Sequence, residues 1–239
     1  MPDEVECILA GNRVPRDYFL TKGVGESDIT IHAGSLDDAL ENAGIENFNI
    51  IKYTSIMPAI ARKVDRPKRD VFEVNYNGKA KIVHGSVCET IMAESDCRRG
   101  ERATAGLIIG WIYEKQSGKR FGGLVAEYVG HDEEDEARED LGKMMYNMGK
   151  ERLKNRKNLE LRDVEIETAS IEPKKNFGTA VVAIGFLNYV IPMYGKLNQK
   201  DLEGFYAYKS LDLPKVDGKD AAPKAEGTAC GNKAKGQNP

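Results

Sequence analysis

The sequence predicts an α+β fold built from layered sheets. Strand-sized apolar runs dominate the chain, one helical pattern stands early and a longer one late, and the regular strand–helix alternation of a parallel α/β sheet is missing. At 239 residues the length suits one domain, or one domain with an appendage. Hydrophobic residues at 41% and charged residues at 31% are the balance of a soluble globular protein.

Taken in order, residues 17–21 form the first strand pattern, and Lys22-Gly23-Val24-Gly25 follows as a glycine turn. Ser35 is placed to cap a helix, with Asp38 three residues on, and Gly44 is placed to end it. Residues 48–53 form a second strand pattern, which stops by Pro58. Residues 71–76 and 79–84 flank Asn77-Gly78, a favoured hairpin turn. Two long strands, 103–113 and 122–129, enclose a polar turn. The acidic run 132–136 suits a helix N-terminus, and Ala137, Leu141, Met144, Met145 and Met148 then recur at helical spacing. Those methionines read as core, as does Trp111. Strands at 164–171 and 179–187 complete the pattern. Residues 188–209 keep aromatics that can pack on a core. Beyond Leu213 hardly any large apolar residue remains to offset chain entropy, so 213–239 is expected to be disordered.

Composition excludes several classes. Lys plus Arg number 35 against 38 Asp plus Glu, a formal net charge of −3, which does not suit a protein gripping nucleic acid through excess positive charge. No apolar run approaches the roughly 18 residues that span a bilayer. Asp3, Glu4 and Glu6 leave no secretory signal pattern, so a cytoplasmic location is expected, without membrane contact. Cys7, Cys88, Cys97 and Cys230 form no C-x-x-C, and His32, His84 and His131 lie far apart, so no metal site is expected and the cysteines read as reduced thiols. H-E-x-x-H, G-x-x-x-x-G-K-[ST] and G-x-S-x-G do not occur.

The informative stretch runs from Ala43-Gly44-Ile45 through Phe48-Asn49 to Thr54-Ser55-Ile56-Met57-Pro58. It resembles the pyruvoyl-dependent arginine decarboxylases, which carry an AGI…FN element, a strand, and then Ser-Ser-Ile and a proline. Gly122-Gly123-Leu124-Val125-Ala126-Glu127-Tyr128 resembles the second motif of that family, Lys22-Gly23-Val24-Gly25 its N-terminal turn, and residues 177–187 its closing strand. The resemblance covers about 170 residues, 17–187, in the family's order.

The resemblance implies a layered α/β/β/α sandwich, self-cleaved into two chains and assembled as a homotrimer with active sites between subunits. It implies decarboxylation of L-arginine to agmatine and CO2, feeding polyamine synthesis. The cofactor would be a covalent pyruvoyl group, a ketone able to condense with an α-amine and take up the electrons that CO2 leaves behind. By the family's route the Ser55 hydroxyl attacks the Thr54 carbonyl, an ester replaces the peptide bond, and elimination and hydrolysis leave a pyruvoyl group at position 55. Thr54 departs from the family's usual serine, but it supplies the carbonyl and not the nucleophile. Glu127 corresponds to the proton donor, a role suited to a carboxyl of raised pKa. Asn49 corresponds to an amide serving self-cleavage or an oxyanion. Asp37, or its neighbour Asp38, corresponds to the acid facing the substrate guanidinium. Tyr53, Ile56 and Met57 read as wall residues.

The implied organisation is a leader at 1–16, a decarboxylase domain at 17–187 cut between 54 and 55, an extension at 188–212 and the tail at 213–239. Two alternatives remain open on the residues: a pyruvoyl enzyme acting on another amino acid, and an unprocessed, non-catalytic binding or regulatory relative.

Overall fold

In chain order the elements are β1 (Ile8–Ala10), β2 (Val14–Pro15), β3 (Asp17–Ser27), a wide kinked helical turn (Ile31–Leu36), α1 (Asp37–Ala43), β4 (Asn49–Lys52), β5 (Ile56–Pro58), β6 (Arg62–Lys63), β7 (Glu73–Tyr76), β8 (Ala80–Val83), β9 (Val87–Arg98), β10 (Ala103–Glu114), β11 (Arg120–Gly130), α2 (Glu134–Leu153), β12 (Leu159–Ile171), β13 (Phe177–Phe186), β14 (Tyr189–Val190) and β15 (Met193–Lys196). The structure is a computed structural model that describes residues 8–67, 73–76 and 80–196. The expected tail at 213–239 and the Asn77-Gly78 turn lie outside the described residues, although β7 and β8 pair antiparallel as a hairpin requires. The chain divides into two units. One includes most of β1 and β15, which pair; the other, Ala10–Met193, holds everything that follows.

Two mixed-length sheets with few helices make an α+β architecture. The first sheet has the order β4-β9-β13-β3-β6, and the second β12-β10-β11-β5. Strand β13 pairs antiparallel with both β3 and β9, whereas β4 and β6 add parallel edges. The second sheet is antiparallel throughout. Alternate residues of the two sheets meet in a shared core: Ile91, Val182 and Ile184 from one side, Leu107, Ile109 and Val125 from the other, with Tyr18 and Met57 between. On the outer face of the second sheet, Ala137, Leu141 and Met145 of α2 cover Ile108, Ile112, Leu124 and Ala126. On the outer face of the first, Ala39 and Ala43 of α1 cover Phe19, Val181 and Ala183.

Three details differ from the sequence reading, each for a physical reason. The stretch Lys22-Gly23-Val24-Gly25 is not a turn but the middle of β3, paired through Thr179↔Gly25 to Val182↔Lys22. Its glycines are there for close approach: a Cβ on Gly23 would lie 2.1 Å from the Ala39 carbonyl oxygen, and one on Gly25 2.3 Å from that of Ser35. Ser35 makes no cap; it is buried in the helical turn before α1, where its hydroxyl meets that of Thr179 at 2.8 Å. Strand β9, a central member of the first sheet, carries no expectation at all. Its Glu89, Glu94 and Asp96 break the alternation that marks a strand, because two of these acids are spent on interior or ion-paired positions.

Other expectations match. Gly44 ends α1 with φ +69°, in the left-handed region that glycine tolerates, and its N–H donates to the Glu41 carbonyl. The first turn of α2 holds Glu134, Asp135 and Glu136 and its last turn Lys150 and Arg152, which complements the helix dipole at both ends. Trp111 is buried, with the Arg120 guanidinium 4.2 Å from its ring centroid. Cys88 and Cys97 are free, buried thiols.

Candidate active site

The segment between β4 and β5 passes from one sheet to the other, and this crossing builds the site. The Tyr53 N–H donates to the Thr90 carbonyl at 2.6 Å, the last rung on the first sheet. The Val125 N–H donates to the Ser55 carbonyl at 3.0 Å, the first rung on the second. From there β5 runs along β11 as Leu124↔Ile56, Gly123↔Met57 and Gly122↔Pro58. Thr54 and Ser55 therefore sit in the gap between two ladders. The Ile56 N–H closes that gap by donating to the Thr54 carbonyl at 2.9 Å, a three-residue turn centred on Ser55. This bond draws electron density toward the oxygen and leaves the Thr54 carbonyl carbon more electrophilic.

Ser55 opens into a cleft of about 520 Å³ shared with Val125, Ala126, Glu127, Met144, Asn147 and Met148. Its floor is β11 and its wall is α2. Glu127 enters it from β11, opposite Leu107 in the sheet. The side chain reaches solvent, yet the surrounding protein still strips water from the charged form and pushes its pKa above the usual carboxylate value; Lys52 pulls it in the opposite direction. Lys52 itself is held by Glu94 at 2.7 Å. The cleft thus gathers a hydroxyl, an activated carbonyl and a carboxyl of raised pKa.

Not every expected residue reaches this cleft. Asn49 is exposed at the start of β4, where its side-chain amide donates to the Gly85 carbonyl at 2.7 Å. Asp37 and Asp38 occupy the first turn of α1, on the outer face of the first sheet, and neither lines the cleft. Ile56 and Met57 do form wall, but of a neighbouring cavity of about 310 Å³ that Phe121, Arg152 and Arg156 complete. The methionine stripe divides: Met145 is core, while Met144 and Met148 line the cleft with Asn147. Helical spacing shows which residues share a face but not where that face overhangs a sheet edge, so it marks Met144 and Met148 as core and carries no signal for Asn147. The Ile56 N–H, a backbone group, carries no sequence signal.

Among the described residues no group of three or more His, Cys, Asp or Glu side chains is arranged to hold a metal ion, and no helix is long and apolar enough to cross a membrane. The chemistry available in the cleft is that of a carbonyl group and an acid. A position-55 ketone fits it, since residue 55 already faces the cleft beside Glu127.

An α+β sandwich with this pairing of a turn serine and a weakly acidic glutamate is suited to a carboxy-lyase. Residues 17–191 match the family model for pyruvoyl-dependent arginine decarboxylase. The chain belongs to that family, and it is a carboxy-lyase of pyruvoyl-dependent type. It is 35% identical over 196 residues to the pyruvoyl-dependent arginine decarboxylase AaxB of Chlamydia muridarum, covering 75% of this chain and 94% of that one. Against AaxB of Chlamydia pneumoniae the identity is 32% over 205 residues, covering 79% and 98%. A pyruvoyl-dependent arginine decarboxylase of Methanocella arvoryzae is 26% identical over 179 residues, covering 73% and 96%.

Proposed function

We propose that the protein cleaves itself between Thr54 and Ser55 and decarboxylates L-arginine to agmatine and CO2, a step that feeds polyamine synthesis. The observation that carries this reading is the turn at Ser55, with its bonded Thr54 carbonyl, opening beside Glu127. In processing, the Ser55 hydroxyl adds to the Thr54 carbonyl carbon, and the Ile56 N–H steadies the oxygen as charge grows there. The C–N bond breaks to leave an ester. Loss of the residue-55 α-proton then expels the Thr54 carboxylate, and water replaces nitrogen as ammonia, leaving the covalent pyruvoyl group at the new N-terminus.

Once formed, this group supplies a ketone that condenses with the substrate α-amine and accepts the electron pair released with CO2. Glu127 holds the proton that returns to the substrate carbon, and its raised pKa keeps that proton available. Met144 and Met148 limit water at the reacting carbon. Asp37 or Asp38 binds the guanidinium, and because both lie on the far outer layer within one chain, a neighbouring protomer of a homotrimer supplies them. Asn49, bonded to Gly85, holds the start of β4 and so supports processing from a distance. The working unit in this reading is cytoplasmic, with the domain at 17–187 following a leader at 1–16 and preceding the extension at 188–212 and the tail at 213–239.

The test is CO2 release from arginine, lysine, ornithine, histidine and aspartate by the purified protein. Turnover of arginine with agmatine as product is expected. Turnover of another of these amino acids without arginine would overturn the substrate assignment.

A further inference from the structure

Glu89 is a buried carboxylate that the reaction above does not use. It sits on β9, only 2% exposed, facing the shared core. One of its oxygens pairs with the Arg13 guanidinium. The other is buried without a well-aligned hydrogen bond, as is the Tyr189 hydroxyl. Arg13 also lies over the Tyr189 ring, 5.0 Å from its centroid. Tyr53 joins the same cluster. Its ring tilts against Phe186 at 5.9 Å, and the nearby Glu89 carboxylate adds to burial in pushing its hydroxyl pKa up.

The placement of the four residues is informative. Burying a carboxylate is costly, and an apolar side chain would fill this volume at lower cost if packing were all that was needed. Arg13 reaches Glu89 from a short segment tied to the chain's later part by the two-residue pairing of β2 with β14 and by the Gly11 and Arg16 N–H groups, which donate to the Pro192 and Asn188 carbonyls. Tyr53 is the residue just before Thr54, and the backbone of Thr90, next to Glu89, holds its N–H. A cut between 54 and 55 assigns Arg13 and Tyr53 to the small chain and Glu89 and Tyr189 to the large one.

We propose that Arg13 and Glu89 are positioning residues for self-cleavage, a clamp across the two future chains that fixes Tyr53 and so sets the Thr54 carbonyl against the Ser55 hydroxyl. The proposal rests on the processing reading above. Neither residue touches the reacting atoms. They act through Tyr53, whose ring packs on Phe186, whose N–H is held by the Thr90 carbonyl, and whose hydroxyl feels the Glu89 charge. Displacing a reacting group by about 1 Å can slow a reaction by about 100-fold, so a loosened Tyr53 slows cleavage even in a folded chain.

The test follows conversion of full-length chain into two fragments after cell-free synthesis, read by intact mass. Arg13→Ala is expected to cleave about tenfold more slowly than the natural chain, with methylguanidinium ion at millimolar concentration restoring the rate. Arg13→Lys keeps the charge and guards against loss of fold; it too is expected to be slower, at an unchanged melting temperature. Arg62→Ala serves as a contrast. It breaks another pair joining the same two fragments, Arg62 with the buried Asp17 at 3.0 and 3.1 Å, and is expected to lower the melting temperature without slowing cleavage. Natural cleavage rates in both Arg13 variants, or slowing in all three variants in proportion to lost melting temperature, would overturn the clamp. A natural chain that never cleaves would instead contradict the processing reading.

Discussion

The two helix-on-sheet layers of the molecule are packed differently. Helix α1 lies so close to β3 that Gly23 and Gly25 have no room for a side chain. Helix α2 meets the second sheet through longer side chains, Leu141 over Gly106 and Met145 over Gly110, and its Met144 and Met148 border the cleft shared with Ser55 and Glu127. Its own Gly142 has open space around the missing side chain. The first layer is closed by backbone contact; the second is packed over its centre and left open at its edge, where β5, only three residues long, ends the sheet. The contrast teaches that the reactive turn is located by an unfinished edge.

The largest effect that would sharpen this contrast is at the open layer. Ser55→Ala removes the only hydroxyl positioned to attack Thr54 among the cleft residues, so the chain is expected to stay uncut and inactive; fragments on a denaturing gel would break the account. Glu127→Gln keeps the shape but not the proton. It is expected to cleave normally and to decarboxylate about 100- to 10,000-fold more slowly, with single-turnover CO2 release as the measurement.

Smaller effects separate the layers by stability. Gly23→Ala forces a Cβ against the Ala39 carbonyl and is expected to cost about 1–3 kcal/mol in chemical denaturation. Gly142→Ala, in the open layer, meets nothing within 4 Å and is expected to gain about 0.5–1 kcal/mol from helix propensity. Equal effects at the two glycines would erase the distinction.

The smallest effect concerns pH. If Glu127 is the proton donor proposed above, it works protonated, and turnover is expected to hold at low pH and fall as pH rises through its raised pKa. Lys52 lowers that pKa, so Lys52→Ala is expected to move the falling limb of the kcat profile to higher pH. A limb that stays in place would detach Lys52 from Glu127.

Much of this arrangement was legible in the sequence, and the remainder was hidden for definite reasons. Thr54-Ser55 and Glu127 stand in short local motifs, and the structure brings residues 55 and 127 to one cleft. The long strands β10 and β11 and the helix α2 announce themselves by unbroken period. Strand β9 does not, because its acids occupy positions that a strand pattern reserves for apolar residues, and Glu89 is interior only because Arg13 arrives from 76 residues away. Glycine was ambiguous at 23 and 25, where the need for close approach carries the same letter as the need for a turn. Ser35 looked like a cap because serine suits caps, but Thr179 claims its hydroxyl. The positions of Asp37, Asp38 and Asn49 relative to the cleft depend on the stacking of layers, which no local motif encodes.

The central claim is that the chain makes its own reactive carbonyl at position 55. Intact-mass analysis of the purified protein tests it most directly. The account predicts two chains, residues 1–54 and 55–239, with the larger blocked to N-terminal sequencing by a ketone in place of the amine. A single uncut chain, stable on prolonged incubation, would contradict it.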